Sequence, residues 1–206
     1  MKAEQAKNNL RNFILKKEDA DFWQIVHTLT SIFPKAQIYL VGGMARDIAL
    51  GKPSNDYDFV IKNIQPDILE TQLKNNGDAE LVGKTFGVFK WRPKGLKKEI
   101  DIALPRTDHA LGTGGYKDVK IQSDPSLPIE KDLERRDFTI NAIAVNLIDG
   151  SIIDPFGGLA DIEKNILKTV GSPEKRFQED YSRLLRCLRF ACQLNYEPEA
   201  KTKSAL

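Results

Sequence analysis

The sequence predicts a mixed α/β (α+β) fold, with a sheet flanked by helices. Three observations carry this prediction. Residues 37–41 have the composition of a strand and lead through Gly42-Gly43 into helical spacing. A second strand-like run follows at residues 56–61, and hairpin-like pairs come next. Strands that alternate with helices and are then joined by short turns are typical of a mixed sheet.

Each helix is predicted from apolar spacing and from its start and stop residues. The clearest apolar stripe, Phe22, Ile25, Val26, Leu29 and Phe33, lies in the second helix. Gly51-Lys52-Pro53 ends the third helix, and the fourth has Pro66 at its start and Gly77 after its end. Helices are predicted at residues 3–17, 20–33, 44–50, 66–75, 130–134, 138–144, 158–165 and 173–193.

Strands are predicted at residues 37–41, 56–61, 79–82, 86–92 and 97–104, with a turn at residues 92–95 between the last two. The polar, glycine-containing segment 105–128 is predicted to be a long loop with one short strand at 119–122, and long loops are often functional. A hairpin around Asp149-Gly150 is predicted to join residues 144–148 to 151–153.

The composition is that of an ordinary globular protein. The chain has 206 residues, 41% of them hydrophobic and 29% charged, with a formal net charge of +2. That charge does not indicate a nucleic-acid partner, but residues 84–98 and 176–189 are locally basic and either attract phosphates or form solvated surface. Two cysteines, a polar start and no long apolar run lead us to expect a cytoplasmic protein.

Asp56 and Asp58 form the most informative pair in the sequence. In a strand, residues i and i+2 point to the same face about 6.6 Å apart. Two carboxylates on one face of an apolar strand are costly unless a cation lies between them. Because Mg²⁺ takes oxygen ligands and leaves room for substrate phosphates, the pair predicts metal-assisted phosphoryl chemistry on a nucleotide.

The Gly42-Gly43 turn precedes a helix and so offers a phosphate site. Glycine lets a phosphate approach the backbone, and a helix N-terminus presents free N–H groups. Arg46, one turn into the helix, can reach the same anion. A tight connection without a ligand is an equally frequent use of such a turn.

A third carboxylate would complete a site for two metal ions. The predicted strand at residues 97–104 offers two candidates on one face, Glu99 and Asp101. Asp101 is preferred because it lies deeper in the strand, between Ile100 and Ile102. Glu99 stays open as the alternative, and either acid would otherwise face solvent.

Four motifs in a fixed order resemble those of the class II tRNA nucleotidyltransferases. This family contains the CCA-adding enzymes and the bacterial poly(A) polymerases, built on the polymerase-β-like nucleotidyltransferase fold. The resemblance runs from about residue 37 to the end of the sequence. Its motifs are the glycine turn at residues 41–47 with the acids at 56–58, Arg135 to Ala142, Asp154 to Gly158, and Glu179 to Arg186.

The resemblance implies a role for each matching residue. Asp56, Asp58 and Asp101 would hold two Mg²⁺ ions and are the predicted catalytic residues. The predicted nucleotide-binding residues are Gly42, Gly43 and Arg46 for the triphosphate, Arg136, Asp137 and Asn141 around the sugar and phosphates, and Asp180, Arg183 and Arg186 in the last motif.

Asp180 and Arg183 are expected to select the base. Three residues apart, they share a face of the predicted helix. A carboxylate beside a guanidinium matches the amino donor and ring-nitrogen acceptor of cytosine and adenine, and it opposes uracil and guanine. A wrong base leaves buried polar groups unpaired. The alternative is a surface salt bridge worth under about 1 kcal/mol. Leu184, Leu185, Leu188, Ala191 and Cys192 are expected to form the core face of this helix.

The resemblance thus implies an enzyme that adds C and A from CTP and ATP to the 3′ end of tRNA and releases pyrophosphate. Addition of C or A alone, poly(A) synthesis, a catalytically inactive regulatory module and a small-molecule nucleotidyltransferase stay open. Residues 1–148 are expected to form the catalytic head and 149–206 the start of a helical neck. The family's body and tail are expected to be absent, and a second chain could supply them.

Overall fold

A computed structural model describes residues 4–54, 56–82, 87–115 and 119–206 of the chain. Predictions made for residues 1–3, 55, 83–86 and 116–118 lie outside these ranges. The helices of the described part are α1 Gln5–Lys16, α2 Ala20–Ile32, α3 Gly42–Ala49, α4 Pro66–Asn75, α5 Ile129–Glu134, α6 Gly158–Lys164, α7 Pro173–Glu179, α8 Ser182–Leu194 and α9 Ala200–Ser204, with a 3₁₀ turn at Thr139–Asn141.

The strands are β1 Gln37–Val41, β2 Asp58–Lys62, β3 Gly77–Val82, β4 Val88–Pro93, β5 Ile100–Ala103, β6 Arg106–Ala110, β7 Val119–Ser123, β8 Ala144–Asn146, β9 Ile152–Ile153, β10 Ile166–Leu167 and β11 Glu197–Pro198. In the described chain, seven of them form one sheet in the order β3-β4-β5-β2-β1-β8-β9. Its central pair, β2 and β5, is parallel, and the other pairs are antiparallel. The predicted mixed sheet is therefore confirmed.

The two faces of this sheet have different surroundings. The main core packs on one face, where Phe59, Ile102 and Trp91 are fully buried. A smaller cluster on the other face joins Val60 to Leu133 of α5. Because side chains alternate along a strand, Asp58 and Asp101 share this second face with Val60 and Ala103.

Helix α3 and strand β2 begin at different residues from those predicted. Helix α3 starts at Gly42, so both glycines belong to its first turn, and Gly42 has a φ of +69°. Strand β2 starts at Asp58, so Asp56 precedes the strand. Strand β1, the antiparallel neighbour of β2, ends at Val41, where the chain turns into α3. The residues before Asp58 therefore have no residue of β1 opposite them with which to pair.

The segment 105–128 is more regular than predicted. Strands β6 and β7 pair in antiparallel fashion at all five of their positions, whereas only the second strand was expected. The residues of β6, Arg-Thr-Asp-His-Ala, lack the apolar alternation that predicts a strand. Pairing with β7 therefore decides the conformation of this segment.

The predicted helix 138–144 is wrong. A short 3₁₀ turn is followed directly by β8, which forms the expected hairpin with β9. The sheet thus continues past residue 148, where the sequence suggested a boundary between head and neck. That division of domains stays a prediction.

The predicted helix 173–193 consists of two helices. Asp180 is extended, with φ of −157° and ψ of 103°, and separates α7 from α8. The expected core face of α8 is also wrong in part, since Leu185 and Leu188 are 71% and 52% exposed and Cys192 is exposed. Cys187 and Phe190 are the buried residues of this helix. Among the described residues, every helix is too short or too polar to cross a bilayer.

Phe22 of α2 supports the strand that carries the acids. It is fully buried, and its ring lies 5.4 Å from Tyr57 and 5.7 Å from Phe59, measured between ring centroids. These two residues flank Asp58. An apolar contact on one face of the sheet therefore fixes the strand that presents Asp58 on the other.

Replacing Phe22 with alanine is expected to lower the free energy of unfolding by about 3–5 kcal/mol, because it leaves a large cavity beneath β2. Urea denaturation measures this loss. Ile68→Ala on α4 is the control, since Ile68 is 49% exposed, and it should change stability by under about 0.5 kcal/mol. Similar values for the two variants would contradict the support assigned to Phe22.

Candidate active site

Acidic side chains line one edge of the sheet, on the face that also carries Val60 and Ala103. Asp58 and Asp101 are direct partners in the parallel register of β2 and β5. A cavity of about 390 Å³ lies beside them, lined by Asp56, Tyr57, Asp58, Lys90, Glu99 and Asp101. The structure therefore brings the three predicted metal ligands to one cavity, although no three acidic, histidine or cysteine side chains in the described ranges are grouped closely enough to hold an ion.

The environment of Asp58 suits a cation. Burial raises the pKa of its carboxyl to about 6, the positive charges of Arg136 and Arg46 oppose this rise, and the negative charges of Asp101 and Asp56 add to it. A divalent cation would offset the repulsion among these carboxylates, and their oxygens are the donors that Mg²⁺ prefers. The donor chemistry of Asp56, Asp58 and Asp101 therefore suits magnesium, although these side chains would have to move closer together to hold an ion.

Glu99 and Asp101 differ in their partners. The Glu99 carboxylate accepts a 2.8 Å hydrogen bond from Lys90 and lies 3.6 Å from the Arg92 guanidinium. Lys90 lowers the pKa of Glu99 through this hydrogen bond and through its charge. Asp101 is in register with Asp58 and has a longer contact with Lys90, of 3.5 Å. This geometry favours Asp101 over Glu99 as the third metal ligand, because Asp101 lies opposite Asp58 whereas Glu99 is bound by Lys90.

Gly42 lies where the glycine turn meets the acids. A Cβ atom at this position would be 3.0 Å from an Asp58 carboxylate oxygen and 3.1 Å from a guanidinium nitrogen of Arg136. Its φ of +69° is also a conformation that other residues adopt at a cost. Glycine here therefore lets Asp58, Arg136 and the first turn of α3 come together.

A continuous polar chain connects α3 to α8. Arg46 is buried, pairs with Asp47 at 2.8 Å, and donates a 2.7 Å hydrogen bond to the side chain of Asn141. Asn141 in turn donates to Asp137, whose other carboxylate oxygen accepts from Arg186 at 2.6–2.8 Å. These groups lie far apart in sequence, and the structure brings them together.

Asp132 holds two arginines in place, a role that the sequence analysis missed. It is fully buried, and it contacts Arg135 at 2.9 Å and Arg136 at 3.3 Å. Burial alone would raise the pKa of Asp132, yet the two guanidinium groups lower it below its ordinary value. Its spacing of three and four residues from the arginines is the signal that could have identified it.

A larger cavity of about 640 Å³ adjoins the acids and shares Asp56 and Asp58 with the smaller one. This volume is typical of a site for a small molecule. Among the described residues, arginine side chains line it at seven positions: Arg46, Arg106, Arg135, Arg136, Arg183, Arg186 and Arg189. So dense a set of guanidinium groups is suited to a phosphorylated ligand.

Phe190 organises part of this lining and was not expected to do so. Its buried ring lies 5.2 Å from the guanidinium of Arg46, 5.3 Å from that of Arg186 and 5.0 Å from that of Arg189. Arginine groups stack on aromatic faces by cation–π attraction. No feature of the local sequence distinguishes Phe190 from an ordinary core residue.

Arg183 has a different main partner from the one expected. Its guanidinium pairs with Glu179 at 2.8 Å and donates to the backbone carbonyls of Arg176 and Arg135. Asp180 lies 4.0 Å from the Nε atom of Arg183, and its carboxylate accepts from the backbone N–H of Ser182. Both Asp180 and Arg183 line the larger cavity, but Asp180 precedes α8 and does not share a helical face with Arg183.

Comparison with known proteins agrees with this geometry. The family model described as the poly A polymerase head domain matches residues 38–168. This chain belongs to the poly(A) polymerase head-domain family. The family resemblance and the fold predicted from the motifs are thereby confirmed.

Curated relatives of this head domain are named multifunctional CCA proteins. The protein from Stenotrophomonas maltophilia strain K279a is 41% identical over 154 residues, which are 75% of this chain and 35% of that protein. The protein from Nitrosococcus oceani is 41% identical over 166 residues, 81% of this chain and 37% of that one. The chain thus spans little more than a third of the length of these relatives.

Solved structures of CCA-adding enzymes have the same fold. The Bacillus stearothermophilus enzyme in complex with CTP matches with a TM-score of 0.70 and 32% identity, over 88% of this chain and 41% of that one. The Thermotoga maritima enzyme complexed with tRNA matches with a TM-score of 0.73 and 26% identity, over 95% of this chain and 43% of that one.

Gly42→Ala is expected to lower the free energy of unfolding by about 1–2 kcal/mol, because alanine is strained at positive φ and its Cβ would press on Asp58. Chemical denaturation measures this change. Gly43→Ala is the matched control, since a Cβ there meets only Arg46, at 3.6 Å, and alanine suits a helix better than glycine by about 1 kcal/mol. Shifts of the same size and direction in both variants would contradict the role of Gly42.

Proposed function

We propose that this chain is the nucleotide-binding and catalytic part of a tRNA nucleotidyltransferase, which transfers C and A from CTP and ATP to an RNA 3′ end and releases pyrophosphate. One observation carries the proposal: the arginine-lined cavity and the acidic cavity meet at Asp58. This juxtaposition suits a triphosphate whose α-phosphate lies beside a metal-binding carboxylate. Kinship with CCA-adding enzymes supports the choice of reaction.

On the arginine side, the first turn of α3 and Arg46 bind the triphosphate. The N-terminus of α3, at Gly42 and Gly43, would present backbone N–H groups to the phosphates, and Arg46 and Arg136 add positive charge. Asp137 and Asn141 orient the sugar and keep Arg46 and Arg186 in position through the chain of hydrogen bonds. These residues hold the nucleotide before any bond changes.

The transfer step joins the RNA 3′-oxygen to the α-phosphorus, breaks the bond from that phosphorus to the pyrophosphate oxygen, and releases the hydroxyl proton to solvent. Asp56, Asp58 and Asp101 would supply the oxygen ligands of magnesium, which when bound would lower the pKa of the attacking hydroxyl and stabilise the charge on the pyrophosphate. Arg46 and Arg136 bind the leaving pyrophosphate, where negative charge increases.

Base selection is assigned to Asp180 and Arg183. Glu179 and two carbonyl groups hold the Arg183 guanidinium in one orientation, which supports a fixed hydrogen-bonding edge. A fixed edge discriminates between bases better than a mobile one, because it cannot rearrange to pair with a wrong base. In this proposal Glu179 is a positioning residue for Arg183.

Three further statements belong to this proposal. The RNA partner is tRNA, a choice supported by kinship with the Thermotoga maritima enzyme, whose structure was solved in complex with tRNA. The location is the cytoplasm, in keeping with two free cysteines in the described structure. A second chain that supplies further RNA-binding surface stays a prediction. Poly(A) synthesis is the less supported alternative, because the similar curated proteins are named multifunctional CCA proteins and the similar solved structures are CCA-adding enzymes.

The deciding experiment incubates the chain with Mg²⁺, tRNA that lacks its 3′ end and all four nucleoside triphosphates, one of which is labelled in each reaction. Addition of C and A in fixed number is expected, and long A tracts would indicate poly(A) synthesis instead. Asp58→Asn should reduce incorporation at least about a thousandfold, since it removes a carboxylate ligand of the metal, while CTP binding persists. Full activity of Asp58→Asn, or incorporation of no nucleotide by the wild type, would contradict the proposal.

Arg183→Ala is expected to lower the preference for CTP over UTP roughly tenfold or more, because the edge that rejects uracil is lost. Equilibrium binding of all four nucleotides measures this ratio. Arg11→Ala, at an exposed position of α1, serves as the control and should leave the ratio unchanged. An equal loss of affinity for all four nucleotides would indicate a purely structural role and refute base selection by Arg183.

A further inference from the structure

A row of charged residues crosses four neighbouring strands of the sheet and ends at the acidic site. The strand registers pair Glu80 with Lys90, Lys90 with Asp101, and Asp101 with Asp58. Neighbouring residues in such a row lie close enough for their charges to interact. Lys90 thus occupies the position directly beside the proposed third metal ligand, on the side away from Asp58.

The ammonium of Lys90 is shared between two acids. Its Nζ atom lies 2.8 Å from a Glu99 carboxylate oxygen and 3.5 Å from an Asp101 carboxylate oxygen. All three side chains are partly exposed, between 41% and 43%. Exposed ion pairs of this kind add little to folding stability. These ion pairs do, however, change the net charge beside Asp101, where a divalent cation would bind.

We propose that Lys90 is a positioning residue that sets the metal affinity of the acidic site. Its ammonium neutralises part of the charge of Asp101 while no metal is bound, and it moves toward Glu99 when a divalent cation binds. This inference rests on the proposed function in so far as Asp58 and Asp101 are the metal ligands.

Lysine has the properties that this role requires. It carries a compact charge on a flexible stem, so the ammonium can exchange one carboxylate for another. Glu99 supplies the second position, with the shorter of the two contacts. Arg92, 3.6 Å from Glu99, keeps that carboxylate at the edge of the site. Glu99, the alternative third ligand in the sequence, thus acts on the metal through Lys90.

The signs of the effects follow from charge. Removing Lys90 leaves Asp101 more negative, and so a divalent cation should bind more tightly. Removing the charge of Glu99 leaves Lys90 paired with Asp101 alone, and so the cation should bind more weakly. Without Lys90, the effect of Glu99 should largely disappear, since the two residues act as one unit.

Titration of the nucleotide-free chain with Mn²⁺, followed by electron paramagnetic resonance, tests these signs. Lys90→Met should bind Mn²⁺ on the order of threefold to tenfold more tightly than the wild type. Glu99→Gln should bind it more weakly, and the variant with both substitutions should match Lys90→Met. Lys94→Met is the control, because Lys94 belongs to the same hairpin but donates to the carbonyl of Asn75.

A further variant distinguishes an effect of the Lys90 charge on metal affinity from an effect of the size and shape of its side chain. Lys90→Arg keeps the charge on a less compact group and should return the Mn²⁺ affinity most of the way to the wild-type value, whereas a steric role would leave it as altered as in Lys90→Met. In the incorporation assay, the Mg²⁺ concentration for half-maximal rate should fall for Lys90→Met and return with Lys90→Arg. Both results would support a role through charge.

Failure of this inference can be told apart from failure of the proposed function. If Asp58→Asn does not weaken Mn²⁺ binding, the metal site itself is wrongly assigned and both fall. If Asp58→Asn weakens binding but Lys90→Met matches Lys94→Met, only the role of Lys90 is overturned. A Glu99→Gln effect that is equally large with and without Lys90 would likewise overturn the exchange between carboxylates.

Discussion

The arrangement of the site depends on the partly buried carboxylate of Asp58, which borders both cavities. It stands at the start of β2, beside its register partner Asp101 and against Gly42 of α3. Arginine and acidic charges both lie near it, and burial raises its pKa to about 6. The glycine that begins the neighbouring helix leaves room for this carboxylate, since a Cβ atom there would lie 3.0 Å from one of its oxygens.

A second dependence joins the sheet to α8. The chain of Arg46, Asn141, Asp137 and Arg186 runs through buried or partly buried groups, and Phe190 packs against two of its arginines. Buried polar groups are costly when unpaired, so each member requires the next. Helices α3 and α8 are therefore joined by one network of polar groups, although they lie far apart in sequence.

Sequence reasoning was most successful where a residue type has few uses. The structure brings Asp56, Asp58 and Asp101 to one cavity and places Gly42 against Asp58, as the order of these residues suggested, and their roles as metal and phosphate ligands stay predictions. It failed where partners distant in sequence decide the outcome. Strand β6 forms only by pairing with β7, Asp180 interrupts a helical pattern, and α8 turns Cys187 and Phe190 inward instead of Leu185 and Leu188. Asp132 and Glu179 were missed because their importance lies in the arginines that they hold.

The most direct test of the role of Asp58 is a crystal structure of the chain with CTP and Mn²⁺, with anomalous scattering used to locate the metal. We expect manganese in contact with Asp58 and Asp101, and a triphosphate between the first turn of α3 and Arg136. Manganese bound away from Asp58, or a triphosphate that does not contact Gly42 and Arg46, would contradict this arrangement.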